Sequence, residues 1–272
     1  MVRKRLKKTN KKAIVLRIVC LCCLTIFCVS AYMTLSETIR GRQEAQVFEE
    51  LAAQIAPKED TSAPPDMQEP LTAENTEDIV PQEFQRYDAL YEQNPDLFGW
   101  ICIEGTKLNY PVMHTPDDPE HYLRRAFDGS YSVSGVPFLD GDSYPGCGNY
   151  IIYGHNMKNG TMFATLLDYT DEDFWQEHPV IQFDTVDAPG AYEVLAVFYA
   201  KRYTQEDTNV FRYYSYTDLT DEGCFHEYLQ NVDAVSLYDT GVTAEYGDQL
   251  LTLTTCSYHT VDGRLVVVAK AV

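Results

Sequence analysis

Cys256 ends the run LTLTTC, and Arg264 opens the run RLVVV a short turn later. A cysteine attacks carbonyl carbon as its thiolate, so a thiol placed for chemistry needs a base or a positive neighbour. Attack on an amide carbonyl gathers negative charge on its oxygen. A fixed guanidinium beside that oxygen stabilises the transition state more than the ground state. Cys256 and Arg264 would supply the nucleophile and the charge stabiliser. The plainer use of Arg264 is a surface strand residue paired with one of the chain's many acids.

The missing part is a base, and the chain has six histidines. His259 lies in the turn directly after Cys256, where a surface histidine needs no explanation. His114 and His121 flank a loop rich in Pro and Asp, His178 precedes Pro179, and His226 falls on a polar helix face. His155 differs: it follows NYIIYG, an apolar strand closed by glycine, and precedes NMKNGTMF. A histidine at a strand end can project over the rim of a sheet. It is the candidate partner, with a hydrogen-bonding loop histidine as the alternative. Metal chemistry finds no support. Outside the apolar N-terminal segment there is no Cys-x-x-Cys and no His-x-x-x-His, and Cys224 with His226 has no second half. No P-loop or dinucleotide-binding glycine pattern occurs; Gly141, Gly146 and Gly148 belong to a turn. The reading calls for no cofactor and no metal.

The elements that must position these residues are mostly strands. Period-two alternation and β-branched runs predict strands over 98–103, 108–113, 136–139, 149–153, 180–183, 191–199, 249–255 and 264–270. Asp262-Gly263 is a turn signal between the last two, so Cys256 and Arg264 meet at one end of a sheet if those strands pair. Helical patterns cover 37–55, with Val47, Leu51 and Ile55 in register, and 81–93, with Phe84, Tyr87, Leu90 and Tyr91 on one face and Asn94-Pro95-Asp96 as a stop. Further helices are expected over 161–169, 171–177 and 221–230, the last capped by Asp221. Eight short strands with few helices favour a closed barrel over an open parallel sheet. The fold class is therefore mostly β, an eight-stranded barrel with peripheral helices.

Charge divides the chain sharply. Eight of its 21 basic residues fall within the first 17 positions, and none of its 41 acids precedes Glu37. So acidic a body should repel phosphate backbones, which sets nucleic-acid binding aside. Residues 18–35 are uncharged and mostly apolar, and with residues 13–16 they reach the roughly 20 residues that span a bilayer. The basic cluster before them predicts the N-terminus inside and the body outside. A signal peptide cleaved near Val29-Ser30-Ala31 is the rival; the apolar run continues past that point, which favours an uncleaved anchor. A Pro- and acid-rich stretch follows, a stalk by composition. The expected organisation is a basic cytoplasmic tail over 1–12, a transmembrane anchor over 13–35, a helix and stalk over 36–80 and a catalytic domain over 81–272. Four widely spaced cysteines in that domain do not make a disulfide framework, although one or two bridges stay open.

At this point the residues resemble a known family. LTLTTC is similar to the TLxTC motif of sortases, the cysteine transpeptidases of Gram-positive surfaces. NYIIYGHN resembles that family's strand-and-histidine motif, and Arg264 its arginine. NPDLFGWICIEGTKLNYPVM resembles the entry segment of class B members, as do PFLD and the helix-rich insert before the cysteine strand. The absence of an upstream Asp-Pro-aromatic lid also sets class C aside. The resemblance spans 81–272 and implies an eight-stranded sortase-type barrel. It implies that Cys256 attacks the threonyl carbonyl of a C-terminal sorting signal on a surface protein, forming a thioester. His155 then protonates the leaving amine and later takes a proton from the incoming one, while Arg264 holds the oxyanion. Thr254 and Thr255 would line the substrate groove, unless they simply fill the strand. A peptidoglycan amine, or a pilin lysine, would resolve the thioester. The link from Cys256 to Arg264 leaves little room for a substrate-shaping loop, so the 204–243 insert should supply that wall.

Two other functions compete. A hydrolytic Cys–His wall peptidase would usually carry its cysteine at a helix N-terminus, whereas Cys256 ends a strand. A non-enzymatic anchored binding module would keep its function on replacement of Cys256 by alanine.

Overall fold

A computed structural model describes residues 2–55 and 84–272. Contacts divide it into two compact units, Met1–Gln46 and Val47–Val272. Helix α1 (Val2–Ile55) supplies the first unit and the start of the second. From Ala13 onward it contains a stretch long and apolar enough to cross a membrane. Its apolar side chains, among them Leu24 and Phe27, are exposed. The stalk expected over 56–80 lies outside the described residues.

The last turns of α1 belong to the second unit. The sequence pattern assigned Val47, Leu51 and Ile55 to the packed face. Leu51 and Ile55 are buried, but Val47 is 46% exposed and Phe48 is buried in its place. Spacing of three and four residues puts 48, 51 and 55 on one helical stripe, and the Phe48 ring meets Tyr110 edge-on at 5.2 Å. A 3-10 turn (Phe84–Tyr87) leads into helix α2 (Asp88–Gln93), where Tyr87 and Leu90 are buried and Tyr91 is 46% exposed.

Eight strands follow: β1 (Leu97–Cys102), β2 (Asn109–Met113), β3 (Phe138–Leu139), β4 (Asn149–Tyr153), β5 (Val180–Thr185), β6 (Ala191–Lys201), β7 (Leu250–Cys256) and β8 (Gly263–Ala271). They close into a barrel in the order β1-β2-β3-β4-β7-β8-β6-β5. Each sequence-derived strand is present, with ends shifted by a residue or two in most cases. Closure leaves no unpaired sheet edge. The β2–β3 and β4–β7 pairs are parallel and the rest antiparallel.

Alternation sorts the side chains of β7 and β8 between two cores. Leu251, Leu253, Leu265 and Val267 join the larger cluster. Leu250, Val266 and Val268 join a second one with Phe225, Tyr228 and Val232 of helix α4 (Glu222–Val235). By the same period Thr252, Thr254, Cys256 and Arg264 face outward, toward the 204–243 insert. Asp221 caps α4 by accepting the Cys224 amide at 2.9 Å. The helix outruns the expected 221–230 because Val232 extends the stripe begun by Phe225 and Tyr228. The segment expected as a helix over 161–169 is a 3-10 helix (Phe163–Thr170) instead. Met162 enters it with φ 57°, unlike the extended backbone of an ordinary α-helical N-cap. A short α3 (Glu172–Glu177) follows its Asp171 cap as expected.

Buried polar groups tie the insert to the barrel. Thr252 Oγ1 donates to Asn149 Oδ1 at 2.9 Å, so the Tyr228 hydroxyl, 2.7 Å away, must donate to Thr252. Asn149 Nδ2 in turn donates to the Tyr216 carbonyl at 2.8 Å. Replacing Tyr228 by phenylalanine removes one buried donor without a large cavity. Urea unfolding should show a loss of about 1 kcal/mol; an unchanged midpoint would mean that this bond contributes nothing net.

Candidate active site

The β4–β7 pair runs in parallel to Tyr153 beside Thr254. The two chains stay joined past the ladder. The Gly154 amide donates to the Thr254 carbonyl at 3.2 Å. Thr255 Oγ1 donates to the Gly154 carbonyl at 2.8 Å, and Asn156 Nδ2 to the Cys256 carbonyl at 3.0 Å. His155 is therefore carried along the end of β7. On the other side Cys256 and Arg264 are register partners in the β7–β8 ladder. The nucleophile candidate stands between the histidine-bearing loop and the arginine. Gly154 also has a steric reason: a Cβ there would lie 2.4 Å from the Phe163 ring.

A groove of about 490 Å³ opens over this point. Cys256, Thr254, Thr255 and Arg264 line it, together with Tyr153 and Gly154. One wall comes from the segment after β2, through Pro119, Glu120 and Leu123; the other comes from Arg202, Tyr213 and Tyr214. The expectation that the 204–243 insert builds a wall is met by its 3-10 turn (Tyr213–Ser215), while α4 stands behind the wall rather than in it. Thr254 and Thr255 both line the groove, but their hydroxyls are occupied. Thr254 Oγ1 is bonded to the Tyr213 hydroxyl at 2.8 Å and Thr255 Oγ1 to Gly154. Sequence reading missed Leu123, Asn156, Arg202, Tyr213 and Tyr214. Only Asn156, next to His155, carried a local signal.

His155 Nε2 lies 2.9 Å from the Leu123 carbonyl oxygen. A carbonyl only accepts, so Nε2 bears the hydrogen and the neutral ring leaves Nδ1 as its basic nitrogen. Burial is the main cause holding the His155 pKa below the ordinary imidazole value; the nearby Arg124 charge adds to it and the Leu123 bond opposes it. The imidazole is neutral at pH 7. Arg264 donates from Nη1 to the Gly263 carbonyl at 3.0 Å and has no carboxylate partner among the described residues. It is not the acid-paired strand residue that composition alone allowed. Burial pushes the Tyr213 phenol up to about 12, against the pull of its Thr254 bond and of Arg264. Tyr213 is a neutral wall. His259 is committed elsewhere, with Nδ1 3.1 Å from Ser257 Oγ and its ring 4.5 Å from that of Tyr199. All eight cysteines are free.

The model of the sortase domain family matches residues 101–272. Sortase B of Listeria monocytogenes is 33% identical over 190 residues, covering 67% of this chain and 72% of that protein. Sortase B of Staphylococcus aureus is 29% identical over 261 residues, covering 94% of this chain and 96% of the relative. A solved sortase B complexed with triglycine superposes with a TM-score of 0.68 at 25% identity, over 85% of this chain and 98% of that one.

The tautomer and the depressed basicity of His155 are open to direct measurement. Nitrogen-detected NMR at pH 7 should show a neutral ring protonated at Nε2, with a titration midpoint below that of free imidazole side chains. The proton is gained only as pH falls, and protonating the buried ring opposes the fold, so His155 makes stability decline with acid below the ordinary imidazole pKa. A charged ring at pH 7, or the Nδ1–H tautomer, would contradict this geometry.

Proposed function

The chain belongs to the sortase family and is most like its class B members, and on that premise we propose that it is a membrane-anchored enzyme that joins surface proteins to a cell-wall amine. The observation that carries the reading is the junction of three strand ends: Cys256 opposite Arg264, with the His155 loop bonded along β7. The substrate is a surface protein with a C-terminal sorting signal, cut after a threonine. The Cys256 thiol gives its proton to His155 Nδ1 as sulfur attacks the threonyl carbonyl. Arg264, with no carboxylate partner among the described residues, faces the oxygen that becomes negative. The tetrahedral intermediate collapses, the C–N bond breaks, and the proton held on His155 passes to the leaving amine. A thioester remains. A peptidoglycan amine then attacks its carbonyl carbon, and His155 takes one proton from the attacking nitrogen. The C–S bond breaks, an amide forms, and the proton returns to sulfur. Triglycine bound to a solved relative supports an amine as the second substrate.

The same reading assigns residues 1–12 to the cytoplasm, 13–35 to the membrane, 36–80 to a helix and stalk and 81–272 to the extracellular catalytic domain. The apolar stretch of α1 after a basic cluster supports it.

The test uses the full chain in detergent micelles with pentapeptides of the Asn-Pro-x-Thr and Ser-Pro-x-Thr types and triglycine, read by mass spectrometry. Wild type should form an amide adduct at the threonine and Cys256→Ala none. Arg264→Ala should lose about 100-fold in kcat, the scale of one missing oxyanion donor. Turnover by Cys256→Ala would rule out the nucleophile. Cleavage that never yields an adduct at any amine concentration would make the protein a hydrolase.

A further inference from the structure

The strands that bring His155 and Cys256 to one rim of the barrel begin at the other, and a second cavity lies over that far mouth. Its volume is about 460 Å³, and it shares no lining residue with the Cys256 groove. The floor is aromatic. Phe98 meets Tyr150 edge-on at 5.4 Å and stacks beside Phe183 at 6.3 Å, and Phe183 lies 6.2 Å from Tyr192. Tyr150 and Tyr192 are the second residues of β4 and β6, so strand register holds their rings at the mouth.

Two carboxylates stand over this floor. Asp96 directly precedes β1, and Asp187 lies in the turn between β5 and β6. β1 and β5 are ladder neighbours: Gly99 is opposite Thr185, and the Val186 amide donates to the Phe98 carbonyl at 3.0 Å. The two acids therefore occupy adjacent strand ends. Asp184 and Asp248 nearby are paired, with Arg86 and Lys270. Asp96 and Asp187 have no cation partner, and no lysine or arginine lines the cavity, among the described residues. In so acidic a chain unpaired acids alone indicate nothing, but a hydroxyl joins them. Tyr192 is only 5% exposed. A phenol buried to that extent ordinarily has a hydrogen-bond partner, and Tyr87, Tyr110, Tyr122, Tyr169, Tyr213 and Tyr228 each have one. The Tyr192 hydroxyl has none among the described residues, and its oxygen is not sealed from the cavity. Burial is the main cause raising the pKa of both Tyr150 and Tyr192. Asp187 adds to it at Tyr150, and Tyr150 at Tyr192, so acid, ring and free hydroxyl share one space.

We propose that this far mouth of the barrel is a binding site for a primary alkylammonium ion, separate from the Cys256 groove. The ammonium lies between Asp96 and Asp187 and donates to the Tyr192 oxygen, and its methylene chain covers the rings. An ammonium has three donors and no acceptor, which matches two carboxylates and a hydroxyl that can accept. Aromatic faces attract a cation as well as an apolar chain. An anion would meet two carboxylates and no lysine or arginine. A neutral apolar molecule would leave the acids and the hydroxyl unmatched. Asp96 is held in place because its Oδ2 accepts from the Tyr122 hydroxyl at 2.8 Å. A lysine side chain of a docked peptide and a free alkyl diamine share this chemistry. The inference involves no covalent step and does not rest on the transpeptidase reading.

The test follows the Tyr192 ring by NMR, in the full chain in detergent micelles with isotope-labelled tyrosine; Tyr192→Phe identifies its signal. The probes are cadaverine, Nα-acetyl-lysinamide and Nα,Nε-diacetyl-lysinamide, the last with the same chain and no charge. Both amines should shift the Tyr192 signal saturably at neutral pH. The diacetylated probe should need at least about fivefold more to reach half-saturation, the scale of one exposed charge pair. Asp187 is exposed and makes no hydrogen bond of its own among the described residues, so Asp187→Asn probes the site without disturbing the turn. It should raise the half-saturating concentration of both amines about fivefold and leave that of the diacetylated probe unchanged. Tighter binding of acetyl-lysinamide than of cadaverine would assign the site to a lysine side chain of a partner; the reverse would assign it to a free diamine. No saturable shift at Tyr192 with either amine, equal binding of the diacetylated probe, or unchanged binding in Asp187→Asn overturns the site, whatever Cys256 does.

Discussion

The parallel pairing of β4 with β7 is the constraint on which the site depends. Parallel neighbours end at the same end of a barrel, so two segments about a hundred residues apart deliver His155 and Cys256 to one rim. An antiparallel pair would have placed them at opposite ends. Parallel pairing needs a long crossover, and here the chain between the strands builds β5, β6 and the insert that covers the outer face. Gly154, Thr255 and Asn156 then continue the junction beyond the ladder, through one backbone and two side-chain donors. These bonds hold the loop and the strand end in register where sheet bonding has stopped. Arg264 arrives by the opposite device, a short antiparallel turn in which Asp262 adopts φ 54°. Aspartate tolerates that left-handed conformation better than most residues.

Placing the chemistry on the outside of the barrel has a consequence. The interior is filled by the larger apolar cluster and cannot bind a peptide. The outer face of β7 and β8 needs a cover, both to bury Val266 and Val268 and to give the groove a second wall. The insert does both through different parts. α4 supplies Phe225, Tyr228 and Val232 to the second core, while Tyr213 and Tyr214 reach the groove. Tyr213 and Tyr228 bond to Thr254 and Thr252, successive outward positions of β7. The strand that carries Cys256 is therefore held from behind by buried hydroxyl pairs, and these resist sliding because each broken pair would leave a buried polar group without a partner.

Much of this was legible in the sequence because the informative signals are local. Period-two alternation identified all eight strands, and the short link from Cys256 to Arg264 already implied a hairpin with both residues at its mouth. His155 was legible as a strand-end histidine. Its placement along the end of β7 depended on a parallel neighbour a hundred residues away, which periodicity does not encode; only the resemblance to the family suggested it. The groove walls were hidden for the same reason. Leu123 acts through a backbone carbonyl, which every residue has. Tyr213 and Tyr214 belong to a tyrosine-rich stretch in which no single ring stands out. The displacement of Val47 by Phe48 is a smaller instance: both positions fit a helical stripe when Leu51 and Ile55 are fixed, and a partner ring, Tyr110, decides between them.

The electrostatics of the site follow from what is kept away from it. On the proposed mechanism, a carboxylate beside Arg264 would neutralise the field at the nascent oxyanion and would have to be displaced before the arginine could act. In so acidic a chain, the absence of such a pair at Arg264 among the described residues is a property of the arrangement: its neighbours on β6 and β7 are Ala200 and Cys256, and its own Nη1 donates to a backbone carbonyl. His155 is handled by the same principle. Its partner is the neutral Leu123 carbonyl, where many catalytic histidines have a carboxylate. A carboxylate would raise the ring's basicity and favour a permanent imidazolium. A carbonyl fixes the tautomer and orientation while burial and Arg124 keep the ring uncharged. In the proposed mechanism a neutral ring receives the thiol proton and gives it up again, so one nitrogen serves both halves of the reaction without a charged resting state in a half-buried site.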